Sequence, residues 1–152
     1  MTGEECMAAA LAEAKKAYTE GETPVGAALF RGDILLAADH NRTEQKRDPL
    51  AHAELLVLRE GLRLTGGRLA GCTLYVTMEP CPMCTGAILH ARPDRVVFGC
   101  FDDKAGCLGG ALSLPDCLDV YPVEIRSLVL ADEAASLLKS FFAERRTEKA
   151  AR

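Results

Sequence analysis

The segment from Thr73 to Gly99 places the strongest constraint on the fold of this chain. It opens with the β-rich run "TLYVT" and closes with the apolar run "RVVFG". Between the two runs, Pro82 is well suited to the first position of a helix, which we expect to continue to about His90. A strand, a helix and a strand in this order favour a parallel pair of strands joined by a crossover helix. We therefore predict an α/β fold.

Apolar patterns elsewhere add further strands and helices. Helical spacing predicts an amphipathic helix over Glu4–Glu20, two short apolar runs around Gly32-Asp33 predict an antiparallel hairpin, and the polar stretch "DHNRTEQKRDP" is expected to be a loop. A second helical pattern begins at Ala51. After a glycine-rich loop from Cys100 to about Tyr121, the runs "VEIRSLVL" and "DEAASLLKSFFAERR" predict a last strand and a last helix.

Together these elements predict a three-layer α/β/α sandwich around a mixed sheet of about five strands. Residues 1–152 have the length of one domain with a full core, so we expect a single domain. The charged tail after about residue 146 is expected to fray.

The cysteine content and the charge of the chain bear on its location and chemistry. Seven cysteines are an odd number and are scattered along the chain, so a framework of structural disulfides is not expected. No apolar run is long enough to cross a membrane, and the first residues are acidic where a signal peptide needs a basic start. These features predict a cytoplasmic protein. The net charge of -4 does not by itself favour a nucleic-acid partner.

Two of the cysteines, Cys81 and Cys84, form a C-x-x-C pair. In a reducing compartment such a pair is a dithiol redox centre, a pair of metal-binding thiolates or two inert core thiols, and a third ligand would decide. His52 is the candidate, because it lies in the mostly apolar run "PLAHAELLV" two positions before Glu54. A carboxylate in a segment that tends to be buried needs a partner, since burying an ionised group costs several kcal/mol.

His52 and Glu54 can face one centre only if a helix begins between or just before them, because residues i and i+2 of a regular helix point to nearly opposite sides. Pro49 favours such a start. Cys81 would similarly cap the next helix, with Cys84 in its first turn, where free N–H groups and the helix dipole lower thiolate pKa values. The sequence therefore predicts that two helix starts converge on one metal ion.

One imidazole and two thiolates form a tetrahedral zinc site with an open fourth position, which is typical of catalytic zinc. Water would take that position, and Glu54 would accept its proton and pass it to the substrate. This combination predicts hydrolytic chemistry. A structural zinc site would have no use for an unligated carboxylate beside an open position, and a redox centre would need no metal.

The same residues resemble the signature of a known family. His52-Ala53-Glu54 followed by Pro80-Cys81-Pro82-Met83-Cys84 is similar to the signature of the zinc-dependent nucleobase deaminases. More narrowly, seven blocks resemble successive blocks of the bacterial tRNA adenosine deaminases: "ETPVGA", "HNR", "DPLAHAE", "LYVTMEPCPMCTGAILHAR", "RVVFG", "DDKAG" and "FFAERR". The likeness covers nearly the whole chain and implies a cytidine-deaminase-like fold.

The resemblance implies conversion of adenosine to inosine at the wobble position of a tRNA anticodon, by a homodimer. It implies one Zn2+ per chain, with His52, Cys81 and Cys84 as metal ligands. Glu54 would be the catalytic residue and would carry protons from water to N1 of adenine. The helix containing Gly86–Arg92 would help to form the dimer interface.

The resemblance also assigns contacts to the substrate, an anticodon stem-loop. Asn41 matches a base-contacting asparagine of the family, and Pro24 and Val25 would line the pocket. Asp102 and Lys104 match positions in a loop beside the bound nucleotide. Each of these five residues is therefore a predicted substrate-binding residue.

The chain departs from the family pattern after Lys104, where it reads "AGCLGGALSL" instead of a sequence close to "AGAAGS". This segment shapes the groove around the substrate, so its change leaves a second function open: a deaminase of a free nucleobase or nucleoside, of the guanine or cytosine type, with the same zinc site. For tRNA binding, Lys104, Arg145 and Arg146 would supply a basic patch despite the negative net charge.

Overall fold

The computed structural model describes residues 1–151. The helices are α1 (Gly3–Thr19), α2 (Thr43–Lys46), α3 (Ala53–Thr65), α4 (Pro82–Ala91), α5 (Leu114–Cys117) and α6 (Ala131–Ala150). The strands are β1 (Gly26–Arg31), β2 (Ile34–His40), β3 (Cys72–Met78), β4 (Arg95–Cys100) and β5 (Glu124–Arg126). None of the helices in this part of the chain combines the length and the apolar character that crossing a bilayer requires.

The strands form one mixed sheet in the order β2-β1-β3-β4-β5. β1 pairs antiparallel with β2 and with β3, whereas β3 pairs parallel with β4 and β4 with β5. The β1–β2 hairpin turns at Gly32, which has φ 59° and thus adopts a conformation that glycine reaches without steric cost. The mixed five-stranded sheet and its parallel β3–β4 pair are as predicted.

Successive side chains of a strand point to opposite faces of the sheet, so both faces carry apolar residues. Helices cover both faces. Leu29 and Leu74 pack on one face in a core that includes Val57 of α3 and Ile88 of α4. Ala28 and its neighbours on the other face pack against α1, and α6 lies beside α1 over β4. The predicted three-layer sandwich is therefore confirmed.

Several chain segments that connect strands to helices meet at one edge of the sheet. β1 begins at Gly26, opposite His40 at the end of β2, and Ala27 pairs with Val76 near the end of β3. β4 runs parallel to β3 and ends at the same edge. The segments that follow β2, β3 and β4 therefore converge there, as they do in the ligand crevices of open α/β sheets.

Three local features differ from the expectation from sequence. The polar stretch after β2, expected to be a loop, contains α2, and α5 lies within the predicted glycine-rich loop. The run "VEIRSLVL" is a strand only over Glu124–Arg126, because only these residues pair with β4. Leu128 and Leu130 then adopt positive φ values and turn the chain into α6.

Candidate active site

The N-termini of α3 and α4 meet at the edge of the sheet where the connecting segments converge. His52 is the N-cap residue of α3, and Cys81 is the N-cap residue of α4, which begins at Pro82. Nδ1 of His52 lies 3.7 Å from the sulfur of Cys81 and 3.5 Å from the sulfur of Cys84. The fold thus brings together the three side chains that the sequence nominated as metal ligands.

The spacing of these donor atoms fits a tetrahedral zinc ion. Thiolates bind zinc at about 2.3 Å and imidazoles at about 2.0–2.1 Å, so a tetrahedral angle separates nitrogen from sulfur by about 3.6 Å. The observed distances of 3.5 and 3.7 Å bracket that value. The three ligand atoms all lie within 4.8 Å of one another. One imidazole and two sulfurs are also a donor set that zinc catalytic sites use.

The two sulfurs share a proton unequally. A hydrogen bond from Cys84, assisted by one from His52, lowers the pKa of Cys81 to about 4. The same interaction with Cys81 raises the pKa of Cys84, and burial adds to the rise. The sulfur of Cys81 also accepts a hydrogen bond that raises the pKa of His52. A thiolate held at this position attracts a cation.

Glu54 lies in the first turn of α3 beside the cluster, and only 4% of it is exposed. Burial raises the pKa of Glu54 above the usual carboxyl value, while its own backbone N–H and the charge of His52 oppose the rise. A carboxyl group whose pKa is shifted toward neutrality exchanges protons readily near physiological pH. Glu54 is therefore suited to acid–base chemistry.

A cavity of about 210 Å³ opens beside the cluster. Six residues nominated from the sequence line it: Val25, Asn41, His52, Glu54, Cys81 and Asp102. Asn41 is nearly buried, and its side-chain amide donates a hydrogen bond to the hydroxyl of Thr43. Two of the three candidate metal ligands, the acidic residue and the amide thus face one space of the size of a small ligand.

Several other nominated residues, Cys84 among them, do not line this cavity. Pro24 is buried next to the cavity but does not line it, and Lys104 is exposed, with its backbone N–H donating to the Asp102 carboxylate. Arg145, nominated for a basic patch, donates to the carbonyl oxygen of Gly21 and so packs on the loop after α1. The substrate roles of Pro24 and Lys104, like those of Asn41, Val25 and Asp102, stay predictions.

The cavity also contains residues that sequence reasoning did not nominate: Thr23, Thr43, Ala53, Met78 and Glu79. Glu79 carried a usable signal, because it is an acidic residue between an apolar strand and Pro80, and the structure leaves only 3% of it exposed. The same signal, a carboxylate in a burial-prone segment, identified Glu54. Thr43 had no comparable signal in its polar surroundings.

Comparison with protein families and sequences gives consistent results. The cytidine and deoxycytidylate deaminase zinc-binding region matches residues 1–100. The chain is 45% identical over 149 residues to the tRNA-specific adenosine deaminase of Bacillus subtilis (strain 168), covering 96% of this chain and 92% of the relative. It is 43% identical to the tRNA-specific adenosine deaminase of Haemophilus influenzae, covering 96% of this chain and 86% of the relative.

Solved structures with the same fold include proteins that act on different substrates. One comes from a study of A-to-I editing by tRNA deaminases at the wobble position of transfer RNA; its TM-score is 0.81 at 37% identity, covering 88% of this chain and 99% of the other. Another is guanine deaminase from Nitrosomonas europaea, with a TM-score of 0.81 at 27% identity, covering 93% of this chain and 85% of the other.

Proposed function

The chain belongs to the cytidine and deoxycytidylate deaminase family, among the tRNA-specific adenosine deaminases, and we propose that it hydrolyses adenosine to inosine at the wobble position of tRNA anticodons. The reaction consumes one water and releases ammonia. The geometry of the site is the observation that carries the proposal. The imidazole of His52 lies at zinc-site distances from the two sulfurs. The buried carboxyl group of Glu54 lies beside them, and the amide of Asn41 lines the same cavity.

We assign one Zn2+ per chain to His52, Cys81 and Cys84. Zinc, when bound, would act as a Lewis acid and make water nucleophilic near neutral pH. The N-terminal end of α4 favours negative charge on the two sulfurs, because Cys81 is its N-cap residue and Cys84 lies in its first turn, where the helix dipole is positive. The cluster therefore binds a cation without any rearrangement of the helices.

Glu54 moves the protons of the reaction in this proposal. Its carboxylate accepts a proton from the attacking water and delivers it to N1 of the purine as the water oxygen adds at C6. It then helps to protonate the exocyclic nitrogen, which leaves as ammonia. The raised pKa that burial gives Glu54 supports both the accepting and the donating step.

Asn41, Val25 and Asp102 contact the substrate in this proposal, since they share the cavity with Glu54. The amide of Asn41 offers both a donor and an acceptor to polar atoms of a purine nucleoside. Pro24 supports the wall behind Val25, and Lys104 lies at the surface where an RNA phosphate could be bound. The partner is a tRNA anticodon stem-loop, whose wobble nucleotide turns out of the stack to reach Glu54.

The remaining parts of the proposal concern the whole protein. We propose that residues 1–152 form a single deaminase domain that acts as a homodimer in the cytoplasm. The α4 helix is a suitable interface element, because a Cβ at Gly86 would meet nothing within 4 Å. The nearby side chains of Leu118 and Tyr121 are each 51% exposed and would be covered in a dimer.

A free nucleobase or nucleoside is the second candidate substrate, and the fold favours it in one respect. The chain resembles a solved guanine deaminase as closely in three dimensions as it resembles the tRNA-editing deaminase. Salt separates the two functions, because RNA binding weakens steeply as salt rises whereas binding of a neutral base does not.

The proposal is tested by incubating the zinc-loaded protein with an anticodon stem-loop that carries adenosine at the wobble position, and counting inosine by mass spectrometry. We expect inosine at that position, a rate that falls with added salt, and no inosine when the only adenosine lies in the stem. Free guanine is incubated in parallel. Conversion of guanine without conversion of the stem-loop would replace the proposed function by the second candidate.

A further inference from the structure

Glu79 is a buried carboxylate that the proposed chemistry does not use. It directly follows β3, and both of its side-chain oxygens accept hydrogen bonds from backbone groups. Oε1 accepts the N–H of Asp102 at 2.9 Å, and Oε2 accepts the N–H groups of Leu108 and Gly110 at 2.8 Å. Hydrogen bonds to an ionised acceptor are about twice as strong as neutral ones, so this carboxylate is a strong anchor for the chain around it.

The three donors belong to residues 102–112, which we call the wall loop. The wall loop folds on itself, since Gly106 donates to the carbonyl oxygen of Asp102 and Ala111 donates to that of Gly106. One further bond ties it to the end of β3: the N–H of Cys107 donates to the carbonyl oxygen of Pro80 at 3.0 Å. The polar attachment of the wall loop to the metal-site side of the fold therefore centres on Glu79 and Pro80.

The wall loop packs closely against the carboxylate at two glycines. A Cβ on Gly106 or on Gly110 would lie 2.2 Å from Oε1 of Glu79, which is much closer than two such atoms can approach. Neither glycine has a positive φ in the range that excludes other residues, so space rather than backbone conformation requires glycine here. The two glycines thus let the backbone reach Glu79.

The wall loop also forms one side of the cavity, because Asp102 lines it together with Glu79. We infer that Glu79 is a positioning residue that fixes the wall loop, and with it Asp102, in the shape that selects the nucleotide substrate. This inference rests on the proposed function. Since both oxygens of Glu79 already accept N–H groups, Glu79 binds the loop rather than transferring protons.

Glu79→Gln tests the inference with little change of volume. The amide keeps one acceptor oxygen but turns an NH2 donor toward N–H groups, so at least one of the bonds is lost. We expect KM for the anticodon stem-loop to rise at least about tenfold while kcat changes less than about threefold, with the zinc content of the wild type. Hydrogen exchange at the amides of Asp102, Leu108 and Gly110 should accelerate, whereas exchange in α3 should not.

Two further variants complete the test. Gly110→Ala displaces the wall loop while Glu79 stays intact, so it should raise KM in the same way, and it decides the question if Glu79→Gln does not fold. Glu60→Gln is the matched control, because Glu60 pairs with Arg63 on the exposed side of α3. It should leave KM and exchange at their wild-type values.

Different experimental results would refute the inference and the proposed function. Hydrogen exchange is measured without substrate, so it reports whether Glu79 holds the wall loop even if the wild type forms no inosine. The absence of inosine would refute the proposed function. If the wild type forms inosine but Glu79→Gln keeps wild-type exchange and KM, the inference is overturned. Loss of zinc or of kcat alone would also overturn it, since Glu79 would then support the metal site instead of the loop.

Discussion

Glu54 and Glu79 are two buried carboxyl groups on the same cavity, and their surroundings suit them for opposite tasks. Burial dominates around Glu54 and raises its pKa, which leaves a group able to take up and release a proton. Three backbone N–H groups donate hydrogen bonds to the oxygens of Glu79, so this carboxylate acts as a hydrogen-bond acceptor for the wall loop. The surroundings thus suit Glu54 for proton transfer and Glu79 for anchoring the wall loop.

Replacing Glu54 by Gln should abolish turnover without removing the metal. The amide cannot exchange a proton, so kcat/KM for the stem-loop should fall by about 10²–10⁴-fold, the usual contribution of acid–base catalysis. Zinc per chain, measured by mass spectrometry, should equal that of the wild type. Glu60→Gln on the same helix is the control and should be fully active. A Glu54→Gln variant with normal turnover would show that another group moves the proton.

The cluster of His52, Cys81 and Cys84 could be predicted from the sequence, because these residue types stand out from their local surroundings. Cys81 and Cys84 are three positions apart at a strand-to-helix junction, and His52 stands out in an apolar run. The partners of Glu79 leave no such trace, because they are backbone groups contributed by residues of any type. Their role depends on the path of the wall loop, which only the three-dimensional structure supplies.

At the scale of elements, α1 and the loop that follows it hold the segment that carries Asn41. The ring of His40, at the end of β2, lies between the carboxylates of Glu13 and Glu20, with nitrogen–oxygen distances of 2.9 Å to each. Glu22 then accepts the N–H groups at the start of α2, both at 2.9 Å. The strand end and the short helix on either side of Asn41 are therefore fixed by acidic groups of α1 and of the loop after it.

The contact between α1 and β2 should make the fold sensitive to acid. Burial raises the pKa of Glu13, but hydrogen bonds with Lys16 and His40 outweigh it and bring the pKa below the ordinary value of 4.5. A carboxyl group with a lowered folded-state pKa stabilises the fold above its unfolded pKa and loses this effect as the pH falls through the folded value. The free energy of unfolding should therefore fall more steeply below pH 4.5 in the wild type than in Glu13→Gln.

Urea unfolding at a series of pH values from about 7 down to about 3 measures this difference. Glu4→Gln is the matched control, because Glu4 lies on the same helix and is exposed. It should show the slope of the wild type. Equal slopes for the wild type and Glu13→Gln would mean that the contact with His40 contributes nothing to acid stability.

Long elements with apolar periodicity could be predicted, whereas α2 could not. The stretch around Thr43–Lys46 has no apolar face, so no helical pattern marks it. Its N-terminal N–H groups are satisfied by Glu22, which lies more than twenty positions earlier in the chain. A helix of this length forms through such a tertiary contact rather than through its own propensity.

At the scale of the whole molecule, the residues that stabilise the fold and the residues of the candidate site lie at different parts of the sheet. The two apolar cores lie on the faces of the sheet, and the polar site lies at the edge where connecting segments meet. The strand–helix–strand pattern was sufficient to predict the parallel pair and its crossover helix, and this topology fixes where the strand ends lie. The shape of the cavity was not predictable, since it depends on the segments between the elements.

The proposed homodimer gives a prediction about the mass of the protein in solution. The wild type should sediment with twice the mass of the chain, and Gly86→Arg should sediment as a monomer, because a long side chain on α4 would block the partner. The substitution should not disturb the fold, since a Cβ at Gly86 has open space around it and glycine is unfavourable within a helix.

Gly3→Arg is the control for this measurement. A Cβ at Gly3 would likewise meet nothing within 4 Å, but Gly3 lies at the start of α1, away from the proposed interface. Gly3→Arg should remain a dimer. A monomeric wild type, or a dimeric Gly86→Arg, would contradict an interface at this part of α4.

The hold of Glu79 on the wall loop has a consequence for how such a chain can evolve. The carboxylate binds backbone N–H groups, which every residue except proline provides, so it constrains the course of the loop and not the identity of most of its side chains. Only Gly106 and Gly110 are tied to their positions by space. Gly109, with φ 123°, and the buried residues Cys107 and Leu108 are constrained as well. Mutations can therefore accumulate at the exposed positions of "AGCLGGALSL" and alter what a substrate contacts, while the course of the loop is preserved.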